Sequence, residues 1–380
     1  MSENFSAISV VVWLKNWYDI SVYKMGGAMR EKSSLQSRLA GLKKQMRAAG
    51  VEAFVVTNNL DQYYLMDFYF YPDETVLLVS PRGVYCFTRD LYVESVTKKY
   101  PAFHVIGCEN RVEAAVEKIK ALGIKKSGFD AAKESYRQGS LMQKAGLKEL
   151  PSIISQLRCS KDSQEIKRLR ASNRIAYLAY EYVRPRIKTG MTENEVAVML
   201  EQFMRGQGAT AVSFMTIVGF GENAANPHHE TSMRKLKNNE AVLMDFGCIY
   251  QGYCSDITRC WWHGNKEPEE YTKIWNIVDK ARRAGIKMLK PGTATHDVDA
   301  AARGIITAAG YGEYFTHRTG HGVGMEIHEE PFNSADSKAI LRVGSVVTVE
   351  PGIYLTGKFG VRLEDTLAVT EKGSTILTRK

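Results

Sequence analysis

The spacing of apolar positions changes several times along the chain, and each change marks an element. QSRLAGLKKQMRAA (36–49) repeats apolar residues at helical spacing and stops at Gly50. VEAFVVT follows, then TVLLVS and VYCFT across Pro81-Arg82-Gly83, which read as strands and a tight turn. HVIG, a helical 111–122, KKSGFD and a helical 132–146 continue the alternation. The pattern predicts a small α/β domain over 29–158, with nothing in it resembling a catalytic cluster. A long amphipathic stretch, 162–187, opens a second domain over 159–380, with Ser160 or Asp162 as its cap. Met191-Thr192-Glu193-Asn194-Glu195 starts another helix with capping-box character. Beyond it AVSFMTIVG, AVLMDFGCIY, GYCSDITRCWW, SVVTVEPGIY and GVRLEDTLAVT read as strands, with helices at 268–289 and 295–309. The fold class is α+β, without repeats or low-complexity linkers.

Composition changes this picture little. A length of 380 residues suits about two domains. Hydrophobic content of 44% and charged content of 24% are ordinary for a globular protein. The net charge of +9 comes from lysines and arginines interleaved with acids, so a solvated surface is expected and no nucleic-acid partner. Residues 1–28 form an extension of unassigned role. Its apolar run ISVVVWL is well short of the ~20 residues that span a membrane. No small-residue cleavage site follows, so neither a secretory signal nor a membrane partner is expected. The six cysteines form no CxxC pair, which fits a reducing, cytoplasmic location. Cys248, Cys254 and Cys260 read as small buried side chains rather than ligands.

The chemistry-bearing residues lie in the second half, where seven of the eight histidines occur. Asp245 and Asp256 close two apolar runs, and a two-residue turn at Tyr250-Gln251 would set them opposite one another. Glu350 and Glu364 would face each other across a three-residue turn centred on Gly357. Like charges directly opposite are destabilising, and burying unpaired carboxylates is very costly. Four converging carboxylates therefore call for cations between them. HRTGHGVGMEIH (317–328) adds three histidines on a glycine-thinned backbone. Gly320, Gly322 and Gly324 would let His321 reach a metal through unusual backbone angles or close approach. His317 and His328 would flank it. One of His228 and His229 is expected at the site, the other exposed. An oxygen-rich, nitrogen-poor set suits manganese, iron, cobalt or zinc, and two ions sharing carboxylates is the economical arrangement.

The motifs DFGCIYQGYCSDITR, HRTGHGVGMEIHEEP, VEPGIY and GVRLEDT, with the N-terminal RLAGLKKQMRAAGVEAFVV, resemble the pita-bread metallopeptidases over about residues 36–378. The likeness is to the Xaa-Pro dipeptidase (prolidase) and aminopeptidase P branch. It implies a creatinase/prolidase-type N-terminal domain before a pita-bread catalytic domain. It implies two divalent ions, manganese first and cobalt, zinc or iron as alternatives. Asp245 would bind one ion, Asp256 and Glu364 both, and His321 and Glu350 the second. A hydroxide between the ions would be the nucleophile, with Glu350 moving its proton to the leaving nitrogen. His228 and His328 would hydrogen-bond the substrate and the tetrahedral intermediate, while His317 and Arg362 support the site. The implied substrate is a small peptide with proline second, and the implied assembly a homodimer.

One position departs from the pattern. Some prolidases carry an arginine shortly after the last histidine to hold the substrate carboxylate, and here Phe332 stands there. Arg362, or a basic residue of a dimer partner's N-terminal domain, is the expected replacement, and aminopeptidase P activity on longer peptides is the rival reading. Other hydrolases or lyases on this fold, and a non-catalytic binding protein, fit less well. Such lyases add an aspartate where Gly247 stands, and binding relatives lose ligands that this chain keeps.

Overall fold

The structure is a computed structural model that describes residues 27–379, with side chains from residue 35. The extension expected over 1–28 lies, apart from its last two positions, outside the described residues. The chain divides into two compact units after Pro151.

The first unit is a six-stranded sheet of order β4-β3-β2-β1-β5-β6. Its strands are β1 (Ala53–Val56), β2 (Thr75–Ser80), β3 (Gly83–Thr88), β4 (His104–Gly107), β5 (Ser127–Asp130) and β6 (Lys148–Leu150). The β2–β3 hairpin turns at Pro81-Arg82, with Ser80 paired to Gly83. The parallel pairs β1–β5, β3–β4 and β5–β6 are connected through helices. Helix α1 (Gly27–Ala48) starts earlier than its apolar repeat announced. Helices α2 (Asn59–Met66), α3 (Asp90–Lys99), α4 (Arg111–Ala121) and α5 (Tyr136–Lys144) complete the unit. The amphipathic face of α4 buries Val112, Ala115, Val116 and Ile119 against Val76, Leu78, Tyr85 and Phe87.

The second unit begins with α6 (Ile153–Arg158) and α7 (Ser163–Val183), so the division falls ahead of the 158/159 boundary expected from sequence. Asp162 caps α7, and Thr192 caps α8 (Glu193–Gly206), each in a reciprocal capping box with the glutamate three residues on. The continuous apolar runs break into shorter strands. β7 (Ala211–Val212), β10 (Cys248–Tyr250) and β11 (Tyr253–Cys254) form one small sheet. β8 (Ile217–Phe220), β9 (Glu240–Phe246) and β12 (Ile257–His263) form another. Helices α9 (Glu269–Met288) and α10 (Thr295–Ala308) follow. A five-stranded sheet has order β14-β13-β15-β18-β19, and β16 pairs with β17. These strands are β13 (Gly320–Gly322), β14 (Glu329–Asn333), β15 (Val346–Val349), β16 (Gly352–Leu355), β17 (Phe359–Arg362), β18 (Asp365–Thr370) and β19 (Gly373–Ile376).

Alternation along β9 places the site. Val242, Met244 and Phe246 pack against α7 and α8, while Ala241 and Leu243 join the cluster under α9 and α10. Successive strand side chains point to opposite faces, so Asp245 continues the second set. Cys248, Cys254 and Cys260 are buried and unpaired by disulfides, as the sequence suggested.

Candidate metal centre

The β10–β11 hairpin corrects the expected register. Ile249 pairs with Cys254 and Tyr250 with Tyr253, so the turn residues are Gln251 and Gly252. Both have positive φ, 50° and 78°, as a type I′ turn requires. Asp245 consequently lies opposite Thr258 rather than Asp256. Its cross-strand neighbour is displaced by two residues, which preserves the face where one would have reversed it. The two aspartates therefore still point the same way. The second hairpin has the expected register. Gly352 pairs with Arg362 and Leu355 with Phe359 around Gly357, while Val349 pairs with Asp365 on the far side. Glu350 and Glu364 sit opposite each other between those two ladders.

β13 brings the imidazole. Its pairing with β14 shifts register between Gly320 and Gly322, so His321 sits at an irregularity in the ladder, a feature that re-aims side chains beside active sites. Close approach, not positive φ, explains the glycines. A Cβ on Gly320 would lie 2.1 Å from the Thr348 carbonyl oxygen, and one on Gly322 2.4 Å from that of Glu329.

Asp256, His321 and Glu364 are buried and each offers a ligand atom within 4.8 Å of the others. His321 Nε2 lies 3.4 Å from Asp256 Oδ2 and 3.3 Å from Glu350 Oε1. His321 Nδ1 lies 3.1 Å from the Gly322 carbonyl oxygen. Only a protonated Nδ1 can donate there, so Nε2 faces two carboxylate oxygens. That contact is stable only with a cation between them, either a proton or a metal ion. Burial works against charge on the ring, but the hydrogen bond to Glu350 and its charge outweigh it, and the His321 pKa is raised. Burial likewise tends to raise Glu350, but His321 overcomes it and brings the carboxyl down to about 2. Asp256 and Glu364 go well above the usual carboxylate range, through burial first and then neighbouring carboxylates. Asp245 is raised by burial despite Arg362. Asp245 Oδ1 and Glu364 Oε1 are buried without a hydrogen-bond partner. Unpaired carboxylate oxygens at such depth are expensive, and these two are free to take a metal. The donor set fits hard divalent ions.

A hydrogen-bonded chain supports Asp245. Arg362 donates to Asp245 Oδ2 (2.6 Å), to Tyr354 Oη (2.8 Å) and to Thr258 Oγ1 (3.1 Å). The Tyr354 hydroxyl in turn lies 2.7 Å from His317 Nε2, whose Nδ1 lies 2.8 Å from the Arg318 carbonyl oxygen. Nδ1 is therefore the protonated nitrogen, and Tyr354 donates to Nε2. Burial keeps His317 neutral by lowering its pKa. The hydrogen bonds of Arg362 thus go to Asp245, Tyr354, Thr258 and the Pro227 carbonyl, within the wall of the site. Tyr354 was not singled out from sequence. Its place opposite Gly360, two residues before Arg362, is visible only once the hairpin is paired.

The five acidic and imidazole groups open onto a cavity of about 1230 Å³, lined also by His228, His317, His328, Phe332 and Arg362. The His328 ring meets His321 edge-on, with centroids 4.3 Å apart. Burial, then the His321 charge, lowers the His328 pKa. His228 is exposed on the cavity wall. His229, expected to be the exposed member of the pair, is instead held by Glu193 at 2.8 Å. That buried carboxylate also accepts from the Phe220 and Ser232 amides, the Ser232 hydroxyl and Asn223. It ties down the segment that carries His228.

Residues 167–371 match metallopeptidase family M24, and residues 38–160 match the creatinase/prolidase N-terminal domain. An uncharacterized peptidase of Bacillus subtilis (strain 168) is 35% identical over 347 residues, 90% of this chain and 97% of the relative. The Xaa-Pro dipeptidase from Bacillus anthracis superposes with a TM-score of 0.86 at 36% identity, covering 91% of this chain and 98% of that one. The X-Pro aminopeptidase from Thermotoga maritima MSB8 gives 0.81 at 31% identity, covering 90% and 97%. The expected architecture, a creatinase-type N-terminal domain before a pita-bread domain, is borne out.

Proposed function

This chain belongs to metallopeptidase family M24, and on that footing we propose that it is a two-metal Xaa-Pro dipeptidase. The observation that carries the metal reading is the contact of His321 Nε2 with two carboxylate oxygens beside orphaned oxygens of Asp245 and Glu364. Asp245, Asp256, His321, Glu350 and Glu364 would hold the ions, with Asp256 and Glu364 shared. Divalent ions held there would supply Lewis acidity, lowering the pKa of water and polarising the scissile carbonyl. Glu350 is the group to carry a proton towards the leaving proline nitrogen. His328, and His228 beside it, would donate to the carbonyl oxygen as charge develops. Arg362, with Tyr354 and His317 behind it, would hold the Asp245 carboxyl in place. Manganese is the first candidate ion, a homodimer the expected assembly and the cytoplasm the expected location. Among the described residues no helix is long and apolar enough to cross a membrane.

The test is hydrolysis of a panel by the manganese-loaded protein: Xaa-Pro dipeptides, Xaa-Pro-Xaa tripeptides and dipeptides without proline. Preference for the Xaa-Pro dipeptides supports the proposal. Equal or faster cleavage of the tripeptides favours aminopeptidase P activity, to which the likeness to the Thermotoga aminopeptidase lends weight. Cleavage independent of proline rejects both.

A further inference from the structure

Three guanidinium groups line the cavity, and two are committed elsewhere. Arg362 serves Asp245, Tyr354 and Thr258. Arg303 grips both oxygens of Asp299, at 2.8 and 2.9 Å, and donates to the Phe315 and His317 carbonyls. The third, Arg318, is exposed, and its guanidinium carbon lies 4.6 Å from the centre of the Phe332 ring. Among the described residues its side chain makes no hydrogen bond or ion pair, and no lysine lines the cavity. Phe332 occupies the place where a clamp arginine was looked for, and it carries an arginine from the neighbouring segment on its face.

We propose that Arg318, placed over the Phe332 ring, receives the free carboxylate of a short peptide substrate and sets a preference for that carboxylate over an amide or an extended chain. The proposal rests on the Xaa-Pro reading, because proline in the second position of a dipeptide carries the carboxylate itself. A guanidinium drawn over an aromatic face by cation–π attraction still has N–H groups to offer a ligand. A carboxylate meets them through two parallel hydrogen bonds, a strong and geometrically selective contact. An amide offers one oxygen and no charge. Asp336, exposed and accepting from Ser334 at 2.7 Å, lies within electrostatic reach of Arg318 without pairing to it.

Two measurements on the metal-loaded protein test this, with R318M, which keeps an apolar chain over Phe332, and R318K, which keeps a charge without the fork. The first is the ratio of kcat/KM for a Xaa-Pro dipeptide to that for its C-terminal amide. R318M should lower this ratio about 10- to 100-fold, the worth of a charged hydrogen-bonded contact, and R318K should lower it less. The second is calorimetric binding of L-proline and L-prolinamide, which needs no turnover. The wild type should favour proline, and R318M should lose that preference. An acid preference that persists in R318M, or is absent from the wild type in the binding measurement, overturns the proposal. If the wild type favours proline through Arg318 but cleaves no Xaa-Pro bond, the clamp stands and the peptidase specificity falls.

Discussion

At the scale of single residues, the metal site can be separated from the fold that carries it. Glu364 is fully buried, with Oε2 accepting from Thr258 at 2.7 Å and Oε1 unpartnered. Glu364→Gln keeps the volume and removes a carboxyl that burial, and then neighbouring carboxylates, already push towards protonation. We expect metal content, measured by elemental analysis, to fall below that of the wild type. The metal-free variant should melt at or above the metal-free wild type, most clearly as pH rises, because the wild type must then keep an extra proton on Glu364 or bury its charge among other carboxylates. A variant with normal metal content would take Glu364 out of the ligand set. His328→Ala probes the next step. It touches no carboxylate, so metal content should be unchanged, while turnover of a cleaved peptide should drop about 10²- to 10³-fold if His328 donates to the developing oxyanion. Kinetics near those of the wild type would remove it from that role.

At the scale of elements, β13 and the helix caps give contrasting expectations. Gly320 sits where a Cβ would meet the backbone oxygen of Thr348. Gly320→Ala must push β13 from β15, at a cost of about 1–3 kcal/mol, and His321 moves with it, so stability and metal affinity should fall together. Thr192→Ala removes the hydroxyl that caps α8, a loss of about 1 kcal/mol, with metal affinity retained. Denaturant melts paired with metal titrations distinguish the two cases. The same elements show what was legible in the sequence. Period and capping gave most helices and strands, and the Gly357 turn gave a register the ladders confirm. The Gln251-Gly252 turn did not announce itself, because Gln251 is an uncommon residue at positive φ. The roles of Tyr354 and Glu193 were illegible for a different reason. Each acts through partners that the fold brings from afar, and no local pattern records them.

At the scale of the whole molecule, the buried acids make stability depend on metal and pH together. In metal-free protein, Asp245, Asp256 and Glu364 hold protons above their ordinary values of 3.8 for aspartate and 4.5 for glutamate, and His321 holds one above 6.5. Glu350 runs the other way, to about 2, and is ionised in both states above about pH 5; the lowered His317 and His328 oppose the trend near their ordinary value of 6.5. As pH rises from about 4, the unfolded chain releases protons that the folded chain keeps. At the four raised groups the unfolded state then binds fewer protons, so their contribution to stability falls with rising pH. This loss starts at the ordinary carboxylate values and continues through the raised folded ones. Metal replaces those protons, so its binding strengthens over the same range and releases protons as it occurs. At an ion concentration about 100-fold above Kd, the stabilisation is ~2.7 kcal/mol, or roughly 5–11 °C in the melting temperature of a unit this size. Melting curves of chelator-treated and manganese-loaded protein from pH 5 to 8 should therefore diverge as pH rises. Calorimetric titration of manganese in buffers of different ionisation enthalpy should show net proton release. A melting-temperature gap that stays constant with pH, with no proton release, would mean that these carboxylates are already ionised before metal arrives. Their charges would then have to be balanced by something other than the bound proton that His321 Nε2 and its two carboxylate neighbours require.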